Sequence, residues 1–203
     1  MSAPPSVPTE STRDLQWPKT ALRVTFGLVW LVDGILKWLP GFRSGYLDAL
    51  KEGRDGQAGW MKHWFTFWID LQRSHAYFWA YSVAVIETLI AVAVLAGFAR
   101  KVTYGAAIVF SLLIWSTAEG FGGPYNSGSS DIGTAVIYAL VFAGLLGFAY
   151  YQGPSRFSVD FWLERRIGWW HRVAEVGARN HPHPTAPRPA APPVLAPPAH
   201  PVV

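Results

Sequence analysis

Residues 77–98 read YFWAYSVAVIETLIAVAVLAGF, an apolar run interrupted by one charge, Glu87, close to its middle. At 1.5 Å per residue a helix of this length rises about 33 Å. That is enough to cross the roughly 30 Å hydrocarbon core of a bilayer. Three further stretches repeat the pattern. Residues 20–39 (TALRVTFGLVWLVDGILKWL) precede it; residues 102–118 and 132–150 follow. The expected fold is all-α, an integral membrane four-helix bundle. The long first connection, residues 41–74, adds an interfacial helix: in WMKHWFTFWIDL, Trp60, Trp64, Trp68 and Leu71 recur at helical spacing, while Lys62, Thr66 and Asp70 fall mostly elsewhere on the wheel.

Composition agrees. Charged residues make up 15% of the 203 positions, against about 25% for soluble domains. The 11 Trp suit a water–lipid boundary, where one end of the indole is wet. Cysteine is absent, which excludes a disulfide, a thiolate metal site, an iron–sulfur cluster, covalent haem and thiol exchange within this chain. The formal net charge of +4 does not call for nucleic acid, because the basic residues flank apolar spans.

Four segments follow: a flexible N-terminus over 1–18, a four-helix transmembrane domain over 19–152, an amphipathic membrane-surface helix over 153–180, and a disordered Pro/Ala-rich tail over 181–203. No apolar stretch follows a basic start within 1–18, so no cleavable signal is expected there. In 153–173, GPSRFSVDFWLERRIGWWHRV, aromatic and Arg residues interleave in the way that suits an anionic leaflet. Lys and Arg are absent from 120–130 but frequent at the 100–101 turn and after 155. By the positive-inside rule both termini are expected in the cytoplasm of a multi-pass cell-membrane protein.

The spans carry charges that lipid does not tolerate, each costing roughly 2.5–3.5 kcal/mol at the centre of a span. Asp33 and Lys37 stand i,i+4 on one helix face and can pair. Glu87 lies near the midplane, so its partner must come from another helix: it is either neutral and hydrogen-bonded or reached by Lys37 through a bend or water. Glu119 and Asp131 bracket the third loop. These five are the pocket or proton-relay candidates, with Tyr125 and Asn126 of GFGGPYNSGSS as pocket-mouth candidates. A salt-bridge network that fixes helix register accounts for the same five, and Asp131 suits a helix N-terminus on dipole grounds alone. His63 and His75 lack metal-site spacing, and His181-Pro-His183 in the tail is a compositional signal only. No metal site and no covalently bound cofactor is expected. The glycine-rich loop has neither a Lys nor a strand before it and is no phosphate cradle.

Three segments resemble the DoxX/DoxD superfamily of small four-helix membrane proteins. Residues 22–42, LRVTFGLVWLVDGILKWLPGF, are similar to its opening helix with a Gly-x-x-Lys end. Residues 86–115 place a carboxylate in helix two and a glycine before a basic turn. Residues 153–164, GPSRFSVDFWLE, resemble its Gly-Pro-Gly-Arg-aromatic-Ser-Leu-Asp ending, with Ser155 where glycine is frequent. The loop and the long first connection lean toward the DoxD branch, named for the membrane subunit of a thiosulfate:quinone oxidoreductase. The resemblance implies a quinone-linked membrane subunit with a second oxidoreductase subunit as partner. The lipid bilayer is the expected medium, and a homo-oligomer is one assembly open to the chain. Without cysteine this subunit cannot hold sulfur as a persulfide. A non-catalytic anchor or scaffold for a soluble oxidoreductase is the alternative. A solute carrier fits less well, because no internal repeat is visible.

Overall fold

The computed structural model describes residues 16–125, 131–152 and 155–176, and every regular element among them is helical. The elements are α1 (Gln16–Leu36), α2 (Pro40–Arg54), α3 (Lys62–Gln72), a 3-10 turn (Arg73–His75), α4 (Ala76–Ala96), α5 (Arg100–Ser116), a second 3-10 turn (Gly120–Gly122), α6 (Thr134–Gln152), α7 (Val159–Arg166) and α8 (His171–Ala174). The N-terminus over 1–15, Asn126 and the tail over 181–203 lie outside the described residues.

The long helices close a ring: α1 packs on α4, α4 on α5, α5 on α6, and α6 meets α1 again. Aromatic residues fill its centre. Phe26 and Trp30 of α1 meet Phe142 of α6 edge-on, with ring centroids 4.9 and 5.0 Å away. Tyr138 joins them at 5.2 Å from Trp30. Such edge contacts add about 0.5–1.5 kcal/mol each beyond burial. On the other flank of α1, a Cβ at Gly34 would stand 3.3 Å from the Thr88 backbone, so α1 and α4 approach closely there.

The helices reach a bilayer-like exterior. Two helical stretches, Lys62–Ala96 and Thr134–Tyr151, contain windows long and apolar enough to cross a membrane, and only 33% and 28% of those windows is buried inside the protein. The core helix of a soluble protein would hide most of such a surface. The sequence suggests four spans; α1 and α5 fall short of the same measure for simple reasons. α1 carries Lys19, Arg23 and Asp33, and α5 has 17 residues.

Two connections differ from the sequence reading. The first loop holds two helices. Leu39 is extended (φ −70°, ψ 147°), as the residue before a proline prefers, and Pro40 then opens α2 in its first turn. Both α2 and α3 fold over one end of the ring, which we call the cap end. At the other end, the base, residues 159–174 form two short helices in place of one surface helix over 153–180. Ile167 is extended and ends α7. Ser158 caps its start, Oγ accepting from the Phe161 N–H at 3.4 Å.

The base is pinned by buried charge. Asp160, fully buried, accepts from the Ala99 and Arg100 N–H groups (2.7 and 3.0 Å), from Arg100 Nε (2.9 Å) and from Trp170 Nε1 (2.9 Å). It thus supplies the free N–H groups at the start of α5 with a carboxylate, where the helix dipole also favours one. Arg23 does the reverse at the end of α4, donating to the carbonyls of Val94 and Leu95 and to that of Phe157. Gly97 turns the chain between α4 and α5 at φ 64°; a Cβ there would stand 2.6 Å from Arg23 Nη1.

Candidate functional site

The polar residues of the upper ring gather around one ion pair. Glu87, in mid-α4, is 2% exposed. Lys37, one residue past α1, reaches back so that Nζ stands 3.9 Å from Glu87 Oε1. The other carboxylate oxygen, Oε2, is buried without a hydrogen-bond partner. At 3.9 Å the pair is an electrostatic contact longer than a hydrogen bond. Lys37 also lies 5.0 Å from the centre of the Phe42 ring, a cation–π distance.

Cavities flank this pair on both sides. One, of about 240 Å³, lies under α2 and α3 and is walled by Phe42, Leu50, Trp68, Trp79, Val83 and Phe110. Its wall is almost wholly apolar, with Lys37 and Glu87 at one edge. The Trp68 Nε1 on this wall is buried and unpartnered. Tyr46 and Gln72 close another edge, the Tyr46 hydroxyl donating to Gln72 Oε1. Burial pushes the Tyr46 phenol up to about 12, so it stays a donor at neutral pH.

The second cavity, of about 220 Å³, lies between α1, α5 and α6. Asp33, Lys37, Glu87, Glu119, Thr134 and Tyr138 line it. Asp33 faces the Tyr138 hydroxyl, and Lys37 and Asp33 are the charges near enough to act on Glu87. Glu119 has a second duty: both its carboxylate oxygens accept from the Ala135 N–H, at 3.0 and 3.2 Å, at the start of α6. Trp30 Nε1, buried on the same wall, is unpartnered.

Four of the five candidates from the sequence therefore meet: Asp33, Lys37, Glu87 and Glu119. Their pairing differs from the helical-spacing expectation, since Lys37 turns from Asp33 to Glu87. The helix ends at Leu36, which frees the next side chain to swing toward α4. Asp131 lies apart and exposed, its Oδ1 accepting from the Gly133 N–H at 2.7 Å in a local turn. Tyr125 is no part of either cavity wall; its hydroxyl donates to the Phe121 carbonyl at 2.6 Å. Trp68, Tyr46 and Gln72 were missed as wall residues. Trp68 belongs to the stripe read as facing lipid, and only the packing of α3 on the ring turns it inward.

A family model described as DoxX matches residues 19–120. The match covers half of the chain and includes Asp33, Lys37, Glu87 and Glu119. The chain belongs to the DoxX family, a family of membrane proteins. No curated protein and no solved structure shows significant similarity to it.

Proposed function

We propose that this DoxX-family chain is the membrane subunit of a quinone-linked oxidoreductase, with the apolar cavity taking the quinone ring. One observation carries the reading: a loose pair of half-buried Lys37 and buried Glu87 forms the shared edge of an apolar and a polar cavity. Ligand sites are mostly apolar with a few convergent polar groups, and this wall fits that description. At about 240 Å³ it is smaller than the roughly 300–1,000 Å³ of drug-sized pockets. It suits a single ring, with an isoprenoid tail leaving between helices toward lipid.

The protein groups have separable duties. Lys37 is a donor for a ring oxygen, and Trp68 Nε1 is a second donor without a partner of its own. Glu87 can hold or give a proton at Oε2. Apolar walls keep bulk water from the pair. A bound quinone supplies a couple of two electrons and two protons; the electrons come from a reduced donor on a partner subunit. Within the DoxD-like reading that donor is thiosulfate or a similar sulfur compound. The four long helices then cross the membrane, with the base, rich in Arg and Lys, in the cytoplasm together with both termini.

Quinones quench indole fluorescence, and Trp68 and Trp79 line the cavity. A short-tailed quinone added to the protein in nanodiscs should quench saturably, and less so in Trp68→Phe. Membranes with this chain should couple thiosulfate oxidation to quinone reduction; membranes lacking it should not. A non-saturating quench, unchanged in Ser82→Trp where the cavity is filled, would remove the site. Full turnover in Glu87→Gln would leave the chain as an anchor for its partner.

A further inference from the structure

We infer that the polar cavity is a hydrated proton passage connecting Glu87 to the cap end of the molecule, separate from the apolar cavity and closed to anions. The inference deepens the quinone reading by giving its protons a route, but its evidence is independent of any ligand. Two buried polar atoms, Glu87 Oε2 and Trp30 Nε1, have no partner in the protein, and both residues are 2% exposed. Leaving either bare would cost about 1–3 kcal/mol. One is an acceptor and the other a donor, the pattern a water molecule satisfies. The cavity of about 220 Å³ that both border has room for several waters.

The rest of the wall extends the chain of exchange. From α1 it has Asp33 and Lys37, from α6 Thr134 and Tyr138, and after α5 Glu119. Each can donate or accept, so a proton moves between neighbours without crossing apolar wall. α5 itself contributes only Ile114. On the far side of Glu87 the apolar cavity carries Tyr46 of α2, whose hydroxyl is held by Gln72. Toward the base the ring is filled by an apolar core, with Phe26, Ile90, Ala91, Val94 and Phe142 between Glu87 and the Arg23 and Asp160 contacts. Exit is therefore at Glu119 and Thr134, and Thr134 is exposed.

Charge sets what can use the passage. Three carboxyl groups, Asp33, Glu87 and Glu119, face one ammonium, Lys37. The local field attracts protons and repels oxyanions. An anionic sulfur donor is thereby kept from Glu87 along this route and must deliver its electrons elsewhere.

The chain has no cysteine, so single cysteines at Trp60 (cap) and Trp169 (base) report which way it sits in proteoliposomes. The carboxyl infrared band of Glu87, identified by its loss in Glu87→Gln, is followed after a pH jump on one side. The band should follow cap-side pH, and Thr134→Trp, which plugs the mouth, should slow it at least tenfold. Ser82→Trp, which fills the apolar cavity, should abolish quinone quenching and leave the band's response intact. A band that follows base-side pH, ignores Thr134→Trp, or responds from neither side overturns the passage. Absent quenching with an intact cap-side response would instead overturn the quinone site alone.

Discussion

Replacing Asp160 by Asn tests whether the base is held by one carboxylate. The side chain is 0% exposed and accepts four hydrogen bonds: two from backbone N–H groups, one from Arg100 Nε and one from Trp170 Nε1. Asn retains one acceptor oxygen and turns an amino group toward donors. Arg100, itself 2% exposed, then loses its closest counter-charge and keeps Glu164 at 3.6 Å from Nη2. Breaking a buried pair by removing one partner costs about 3–5 kcal/mol. Each kcal/mol shifts the melting temperature by about 2–4 °C at this chain length, so the drop should be on the order of 10 °C. Thermal loss of the folded species in detergent, read by gel filtration and Trp fluorescence, measures it. Arg165→Ala, on the exposed side of the same helix, should fall by no more than about 1 kcal/mol, the usual worth of an exposed cation–π contact. Adding Arg100→Met to Asp160→Asn should recover part of the loss, because the buried guanidinium that lost its closest carboxylate is then gone. An Asp160→Asn protein that melts with the wild type would refute the argument that this contact organises the base.

The other expectations are narrower. A Cβ at Gly53 would stand 2.3 Å from the Thr117 carbonyl oxygen, so Gly53→Ala should push α2 off the ring, lower the melting temperature and weaken quinone quenching. Gly97→Ala combines φ 64° with a 2.6 Å clash against Arg23 and should destabilise by at least about 1 kcal/mol, scored in the same melt. Burial first, and then the charge of Glu175, raise Glu164 from 4.5 to about 7. The folded state therefore binds the extra proton between those values, and stability falls as pH rises through that window. Melting curves from pH 4 to pH 8 should show this fall in the wild type and a flatter profile in Glu164→Gln. For topology, an impermeant thiol reagent on intact cells should label Trp60→Cys but not Trp169→Cys; the reverse pattern would invert the proposed orientation.

Much of the fold is legible because apolar length is a local property. Residues 77–98 read as a span from composition alone, and α4 follows with bounds shifted by a residue or two. The intramembrane charges were legible for the same reason, since a carboxylate such as Glu87 in an apolar run must find company. Which company it finds is tertiary. Helical spacing offers Asp33 to Lys37, but α1 ends at Leu36 and the lysine turns to α4. The α2 helix is hidden because its mixed charges and glycines resemble a loop; its register comes from Pro40 and from packing on the ring. In sequence, Asp160 has the look of an ordinary acidic residue in the first turn of a surface helix. Nothing nearby in sequence announces that its partners are the N–H groups of residues 99 and 100, some sixty positions earlier.

Among the described residues, the Arg100–Asp160 and Lys37–Glu87 pairs differ in how their carboxylates are finished. Arg100–Asp160 is close, at 2.9 Å, and backbone and indole donors fill the remaining carboxylate positions. Lys37–Glu87 is stretched to 3.9 Å, leaves Oε2 without a partner, and has open volume on both sides. A pair retained only to fix helix register gains from being saturated, because every unmet polar atom costs free energy. A pair that must accept a ligand atom or pass a proton has to keep a position vacant. Both pairs are set by the same chain in the same ring, so general looseness of packing does not explain the contrast. The unsaturated carboxylate is the one beside the cavities, where unmet bonding is expected at a working site. On the proposed reading, the register-fixing role falls to the base and the site to the cap end.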